Sequence, residues 1–466
     1  MELAPDLFLD LTCLPDLGGV PFDELLQGML KAGFEPGPTR ALLEQANARL
    51  KVPLLRPGGM EDGGLLVEEP LLFPQASSWW VGFQQMEARS RSELPPEAVP
   101  VVADFLRVLT RSEDVEQVRE AWPFDDPEWL ERLTRRGARK GARWPEPDGP
   151  GIYRREHASL LICSRTTRIL VDPIRLQRRL LNMELAPTGL GADRVDAVAI
   201  THGHVDHWHV PSLLSQLERP ELPVLVPRVP RPSLLTFQDF EATLRACGQS
   251  VLAPGWYETV RVGDIEVDIL PFYGEQPLRE GAVLPAGLRN WGNCYRFTTE
   301  DFSCLVLVDG GVDPEGSVVQ VAEESYRRRG PVDVVLACQR EFFSPFFLGL
   351  SHYWAVLPWK QLQELHRAYR EQRLRSATAG VEGGAEACAA ARARHFLSYA
   401  NGFEGVGRPI TDVGWGDGEP AEALCNARLR EHLARLKAGT QVPEWLPGDV
   451  ARLEAGQLRV ERPGSR

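Results

Sequence analysis

His202-Gly203-His204-Val205-Asp206-His207 is the stretch on which the reading of the fold turns. It sets three imidazoles and one carboxylate within six positions, directly after the short run Val195-Asp196-Ala197-Val198-Ala199-Ile200. That run reads as a buried strand ending at Thr201, and the loop leaving it can curl its side chains around an ion. His202 and His204 are two positions apart, so in an extended segment they face the same way. Asp206 and His207 are adjacent and must diverge, which suits a second ion a few ångströms from the first. The chain has nine histidines, and His202, His204, His207 and His209 fall within eight positions, so chance explains the cluster poorly. His209 follows Trp208 at the start of an expected helix and reads as a neighbour of the site, not a ligand.

This H-x-H-x-D-H pattern resembles the signature of the metallo-β-lactamase superfamily. Upstream, His157-Ala158-Ser159-Leu160-Leu161-Ile162 through Val171-Asp172-Pro173 resembles the opening strands of many members. Asp309, in Leu305-Val306-Leu307-Val308-Asp309-Gly310-Gly311, resembles the family's bridging aspartate at a strand end. The resemblance covers roughly residues 152–360 and implies an α/β fold, an αββα sandwich with a dinuclear metal site.

The chain departs from the hydrolases of that superfamily, most of which place a metal-binding histidine between the first motif and the bridging aspartate. Here no histidine lies between His209 and His352. The matching place follows the strand Ile265–Leu270 and reads Pro271-Phe272-Tyr273-Gly274-Glu275-Gln276-Pro277. Glu275 is the natural substitute ligand: Gly274 lets the backbone turn it inward, and Pro277 ends the strand. The bland reading is a solvated loop acid and an incomplete site. For the last ligand, expected beyond the strand Val332–Ala337, His352 is the best candidate. His395 is a weaker rival, His366 reads as an ordinary helix residue, and Glu341 is another acid within reach. His157 either aims its ring at the site or is a satisfied core histidine.

The resemblance then implies His202, His204, Glu275 and Asp309 on one ion and Asp206, His207, Asp309 and His352 on the other. Glu275, Asp309 and Asp206 are the candidate catalytic carboxylates. A carboxylate in place of a neutral imidazole adds a hard anionic donor, which favours oxidised iron over zinc. The pattern resembles one branch above all, the dinuclear iron β-hydroxylases of nonribosomal peptide biosynthesis, of the chloramphenicol-pathway type. Members carry a separate N-terminal domain, use a glutamate in place of the usual histidine, and hydroxylate the β-carbon of an amino acid tethered to a carrier protein.

The rest of the chain agrees in layout. Residues 1–145 read as a mixed, mainly helical domain: Thr39 caps a run with Leu42, Leu43, Ala46 and Leu50 on one face, Ser112 caps a second helix, and Asp126-Pro127-Glu128 opens a third. Gly63 to Trp80 is more strand-like. The basic stretch Arg135 to Arg143 reads as a solvated helix end, and Pro145 to Gly151 as a linker that lets the unit before it fold separately. This N-terminal unit has no motif of its own; it docks a carrier protein, forms a homodimer, or covers the site. Residues 152–466 form the metal domain, where short apolar strands alternate with helices and end in a helical extension.

Composition narrows the function classes. The chain of 466 residues has a formal net charge of −13, which gives no global bias toward nucleic acid or an anionic membrane. No apolar run approaches the roughly 20 residues of a bilayer span, and Met1 to Asp6 lacks the basic and apolar regions of a secretory signal. Eight cysteines, none as Cys-x-x-Cys, argue against zinc fingers and a disulfide framework, and a cytoplasmic location is the simplest expectation.

Two functions follow. The first is an oxygenase with two Fe ions, O2 as co-substrate and an external electron donor, hydroxylating a small or carrier-tethered amino-acid substrate in natural-product biosynthesis. The second is a hydrolase with two Zn2+ ions, which lower the pKa of a bound water and cleave an ester, thioester or phosphodiester. A non-catalytic module with a vestigial site is a third reading, which the nearly complete ligand set disfavours. Tyr273, Trp208, Trp291, Tyr295, Tyr353 and Trp354 are aromatics that could line a pocket; singly, each is better read as core packing.

Overall fold

Two sheets packed face to face place the site at one end of their strands. The computed structural model describes residues 8–85, 88–111, 115–123, 146–155, 157–174, 194–217, 219–236, 238–276, 287–346, 348–401, 422–454 and 456–462. Ser112, Asp126-Pro127-Glu128, the basic stretch Arg135 to Arg143, Pro145 and Pro277 lie outside the described residues.

The first sheet has eight strands, in the spatial order Gln457–Glu461, Val450–Glu454, Gly151–Arg154, Leu160–Cys163, Arg168–Val171, Ala197–Ala199, Val224–Leu225 and Val251–Leu252. The second has six: Thr259–Val262, Ile265–Pro271, Asn293–Thr298, Ser303–Val308, Val334–Ala337 and His395–Ser398. Each begins as an antiparallel meander and continues as parallel strands. The hairpin through Ser164–Thr167 and the one around Gly263-Asp264 form as the sequence implies.

Alternation decides what lies between the sheets. Ile152, Leu160, Ile162, Ile169 and Val171 point into a core shared with Ile265, Val267, Ile269, Phe297 and Val306. Tyr153, Leu161 and Leu170, on the opposite face, belong to a different core, as the two-residue period of a strand requires. Helices cover the outside, which gives the αββα sandwich. Val318–Arg329 covers the second sheet; Ser317 caps it with a reciprocal Gln320 contact, and three arginines occupy its last turn before Gly330. All eight cysteines are free of disulfides, and among the described residues no helix is long and apolar enough to cross a membrane.

The N-terminal region is a separate, mainly helical unit with its own three-stranded antiparallel sheet, Phe8–Pro15, Ser77–Gln85 and Ala88–Leu94. The helix Phe22–Lys31 buries Phe22, Leu25, Leu26 and Met29, the i, i+3, i+4, i+7 stripe of an amphipathic helix. Thr39 is not a cap: the helix runs Pro36–Asn47, because prolines at the first turn start it earlier, and Thr39 is buried inside. Gly63 to Trp80 is strand only from Ser77, after a helical turn at Glu69–Leu72.

Separate topology does not make this unit independent, contrary to the expectation from the linker. Leu11, Val81, Val99, Val102, Phe105 and Leu106 share one core with Leu161, Leu170, Leu213 and Leu217 on the outer face of the first sheet. Leu25, Leu26, Met29, Leu43 and Leu66 share another with Leu234, Leu288, Phe346, Tyr353, Trp354 and Trp359. The core between the two sheets belongs to the metal domain alone, but these two further cores are shared, at roughly 1.5–3 kcal/mol for each large side chain taken out of water.

Candidate metal centre

The strand Ala197–Ala199 ends below the site, and the chain turns at once. Trp208 N and His207 N both donate to His204 O, at 2.7 and 2.9 Å, closing a tight turn that fans the motif's side chains around one point. His209 then caps the helix Val210–Gln216, its ring accepting from Ser212 N; it serves that helix and is in none of the donor groups below.

From the second sheet come the carboxylates. Asp309 follows the strand Ser303–Val308, whose pairing with Val334–Ala337 shifts register between Val306 and Val308. Val308 takes φ 47°, a left-handed conformation that costs a β-branched residue energy and here re-aims the next side chain. Glu275 sits beyond Pro271 at φ 47°, after Gly274 at φ 98°. A Cβ on Gly274 would meet Ala377 O and Gly311 N at 2.4 Å, so this turn tolerates only glycine. Glu275 N donates to Ala377 O at 3.0 Å and Gly274 N to Asp313 Oδ2 at 3.1 Å, which fixes the turn with Glu275 buried.

Three groups of donors result: His202, His204 and Glu275; His202, His207 and Asp309; and His157, Asp206 and His207. Glu275 Oε2 lies 2.9 Å from His204 Nδ1 and 3.3 Å from His202 Nε2, and those two nitrogens are 3.1 Å apart. Donors about 2.0–2.1 Å from one ion stand about 2.9–3.4 Å from each other at octahedral or tetrahedral angles, so the spacing fits a metal ion. His207 Nε2 is 2.9 Å from Asp309 Oδ2, which is 3.8 Å from His202 Nε2. Asp309 thus faces both sides of the cluster. Its Oδ1 is buried without a hydrogen-bond partner, and His207 Nε2, close as it is to Oδ2, is not in hydrogen-bond geometry with it, a costly arrangement unless a cation completes both.

Electrostatics supports the same fit. Burial, reinforced by His207 and His204, pushes the His202 pKa well below the ordinary imidazole value, so the ring stays neutral and offers its lone pair. Burial also works to lower His204, but Glu275 outweighs it and the net shift is upward. At His207 burial is outweighed by Asp309, Asp206 and Asp172, and the pKa is held well above the usual value. Without a metal these carboxylates recruit protons, and a divalent ion displaces them.

His157, and not the expected His352, is the imidazole grouped with Asp206 and His207. His157 Nε2 is 3.1 Å from Asp206 Oδ2, and its ring is 5.4 Å from that of His207. His157 holds φ 51° in the turn between Gly151–Arg154 and Leu160–Cys163, its carbonyl accepting from Ala400 N. His352 belongs to none of the donor groups found among the described residues. It lies edge-on to Phe22 at 6.5 Å and Tyr353 at 4.7 Å. Burial and the neighbouring His204 push its pKa down to about 3. The 3-10 helix Leu348–Val356 that carries it packs Trp354 and Val356 into the core shared with the N-terminal unit. His395 lies on a strand with Nδ1 3.1 Å from Asp333 O, and His366 packs on Phe34 at 4.7 Å. Glu341 is exposed and joins no donor group.

Three residues support the ligands in ways the sequence did not assign them, Tyr353 having been read only as a pocket or core aromatic. Asp172, at φ 42° after the strand Arg168–Val171, accepts from His207 Nδ1 at 2.9 Å and is itself held by Thr201 N and Thr201 Oγ1. Asn290 Nδ2 donates to Glu275 Oε2 at 3.4 Å, and its backbone clasps the Gln276 amide at 2.9 and 3.0 Å. Tyr353 Oη is 3.3 Å from His204 Nε2. Of the other aromatics, Trp208 packs on Phe240, Tyr295 donates to Ile200 O, and Trp354 joins the N-terminal core. Trp291 and Tyr273 flank the Arg289 guanidinium.

Comparison with known proteins bears on the fold. Residues 167–297 match the family described as a beta-lactamase superfamily domain. The crystal structure of CmlA, a diiron β-hydroxylase from Streptomyces venezuelae, superimposes with a TM-score of 0.55 at 16% identity, covering 99% of this chain and 99% of that one. A mutant of the CmlA β-hydroxylase gives 0.54 at 15% identity over 95% and 98%. The shared fold therefore extends through the N-terminal unit. No curated protein matches the sequence.

Proposed function

We propose that this chain, whose residues 167–297 match the beta-lactamase superfamily domain, is a dinuclear non-haem iron oxygenase that hydroxylates an amino-acid-derived substrate. The observation that carries the reading is Glu275, a buried carboxylate 2.9 Å from His204 Nδ1, where a zinc hydrolase of the superfamily keeps an imidazole. The three donor groups together hold four histidines, His157, His202, His204 and His207, and three carboxylates, Asp206, Glu275 and Asp309. Three anionic ligands stabilise the ferric state, and a site that cycles between ferrous and ferric iron needs that stabilisation. The full-length likeness to a diiron β-hydroxylase supports the same choice at the level of fold.

Two iron ions would supply the redox capacity for O2 chemistry. One oxygen atom enters a C–H bond and the other leaves as water, consuming two electrons from an external donor and two protons. The chain's own residues do the rest. Asp309 and Glu275 fix the negative charge inside the protein, and Asp172 keeps His207 in the tautomer with Nε2 free. The cluster opens along one edge: Val205 is 70% exposed, the Asp206 side chain 44% and that of His204 20%, whereas His202, His207 and Glu275 are closed to water. Substrate arrives at that edge, and an amino acid on the arm of a carrier protein reaches it without the carrier entering the fold.

The test is mass spectrometry of aminoacyl thioesters, free and carrier-bound, incubated with iron-loaded protein, a reductant and 18O2. One labelled oxygen in the amino-acid part is expected. Thioester or ester cleavage by zinc-loaded protein, with no label incorporated under iron, would establish the hydrolase instead.

A further inference from the structure

The 3-10 helix Leu348–Val356 touches the metal centre on one side and the N-terminal unit on the other. On the first side it carries Tyr353, fully buried, with Oη 3.3 Å from His204 Nε2. His204 Nδ1 is the atom turned toward His202 and Glu275, so a metal takes that lone pair and the proton resides on Nε2. Nε2–H then donates to Tyr353 Oη. Asn290 Nδ2 lies 3.5 Å from the same nitrogen, but it is a donor and is directed at Glu275 Oε2.

On the other side Trp354 Nε1 donates to Phe22 O at 3.3 Å, and the two rings lie 5.7 Å apart. The segment after the helix is tied to the same unit: Pro358 bridges to Leu65, Trp359 N donates to Gly64 O, and Gln363 Nε2 to Phe34 O. The turn that presents Tyr353 is thus seated on residues 22–65 of the N-terminal unit.

We propose that Tyr353 is a positioning residue for the ion held by His202, His204 and Glu275, and that the N-terminal unit keeps it in place through the Trp354–Phe22 contact. The inference rests on the dinuclear reading of the site, but not on which metal or reaction the site uses. His204 is the most exposed imidazole of that group, so its ring is the one that most needs an outer hydrogen bond to fix tautomer and orientation. Losing such a partner typically weakens metal binding about 10–100-fold.

The experiment is an anaerobic Co2+ titration of full-length wild type, Tyr353→Phe and Trp354→Phe against a chelator of known affinity, with a melting curve for each metal-free protein. Wild type should bind two ions. Tyr353→Phe should weaken one of them about tenfold or more, leave the other unchanged and keep its melting temperature. Trp354→Phe, which removes the tie to Phe22 and some buried volume with it, should weaken the same ion by a smaller factor. Wild-type affinity for both ions in Tyr353→Phe would overturn the proposal. So would equal weakening of both ions with a lowered melting temperature, which is the mark of a merely structural role. An unchanged Trp354→Phe beside a weakened Tyr353→Phe would remove the N-terminal unit from the argument. Wild type that binds fewer than two ions would overturn the dinuclear reading itself.

Discussion

His207 Nδ1 and Asp172 Oδ2 lie 2.9 Å apart, both side chains wholly buried, and this contact turns Nε2 of the same ring onto Asp309. Asp172 is raised by burial, an effect that its bonds from His207 and Thr201 oppose. A carboxylate behind a ligating histidine sets ring orientation and basicity, so Asp172→Asn should weaken the His207 ion by about 10–100-fold. Chelator competition reads this directly. Unchanged affinity would show that the ring is held by packing alone.

His157→Ala and His352→Ala separate the two assignments of the last ligand. His157→Ala should lose the ion held with Asp206 and His207, bringing elemental analysis from two metals per chain to one. His352→Ala should retain both. The reverse pattern would return His352 to the ligand set.

A chain beginning at Gly151 should be insoluble or lack a cooperative melt. It would open the cores that Leu213, Trp354 and Trp359 share with the N-terminal unit. A soluble fragment with a sharp melting transition would mean that the two shared cores contribute less than their burial implies.

Metal affinity should rise with pH through the neutral range. The His204 and His207 pKa values are raised in the metal-free protein, so protons occupy the ligand atoms below those values. Each must leave before the ion binds, so binding tightens until pH passes the raised pKa values and then levels off. Isothermal titration in buffers of different ionisation enthalpy measures the released protons. A pH-independent affinity would contradict the charge arrangement around Asp309.

The sandwich is legible in the sequence because its signals are local, and the residues proposed for the site rest on equally local ones. Three histidines and an aspartate in one loop need no tertiary information, and Asp309 is marked by the strand before it. Glu275 was legible from the glycine beside it and from the missing histidine. His157 stayed ambiguous because its direction depends on φ 51° in a two-sided turn and on Ala400, distant in sequence. That His352 falls outside the donor groups is visible only in the fold, which sets its helix between His204 and the N-terminal core. The independence expected of that unit failed for the same reason: a proline- and glycine-rich linker marks where the chain is loose, not which apolar faces meet afterwards. Asp172, Asn290 and Tyr353 support the ligands from separate segments, which no local pattern could reveal.

The central claim is that Glu275 makes this an iron site suited to redox chemistry, and one measurement bears on it most directly. Wild type and Glu275→His, each purified without added metal and then offered equimolar Fe2+ and Zn2+ anaerobically, are compared by elemental analysis and by O2 uptake with reductant and substrate. The account predicts about two irons per wild-type chain and O2 uptake coupled to product, with a shift toward zinc and uptake lower by an order of magnitude or more in Glu275→His. Equal metal selectivity in the two proteins, or wild type that hydrolyses a thioester with zinc and takes up no O2 with iron, would contradict it.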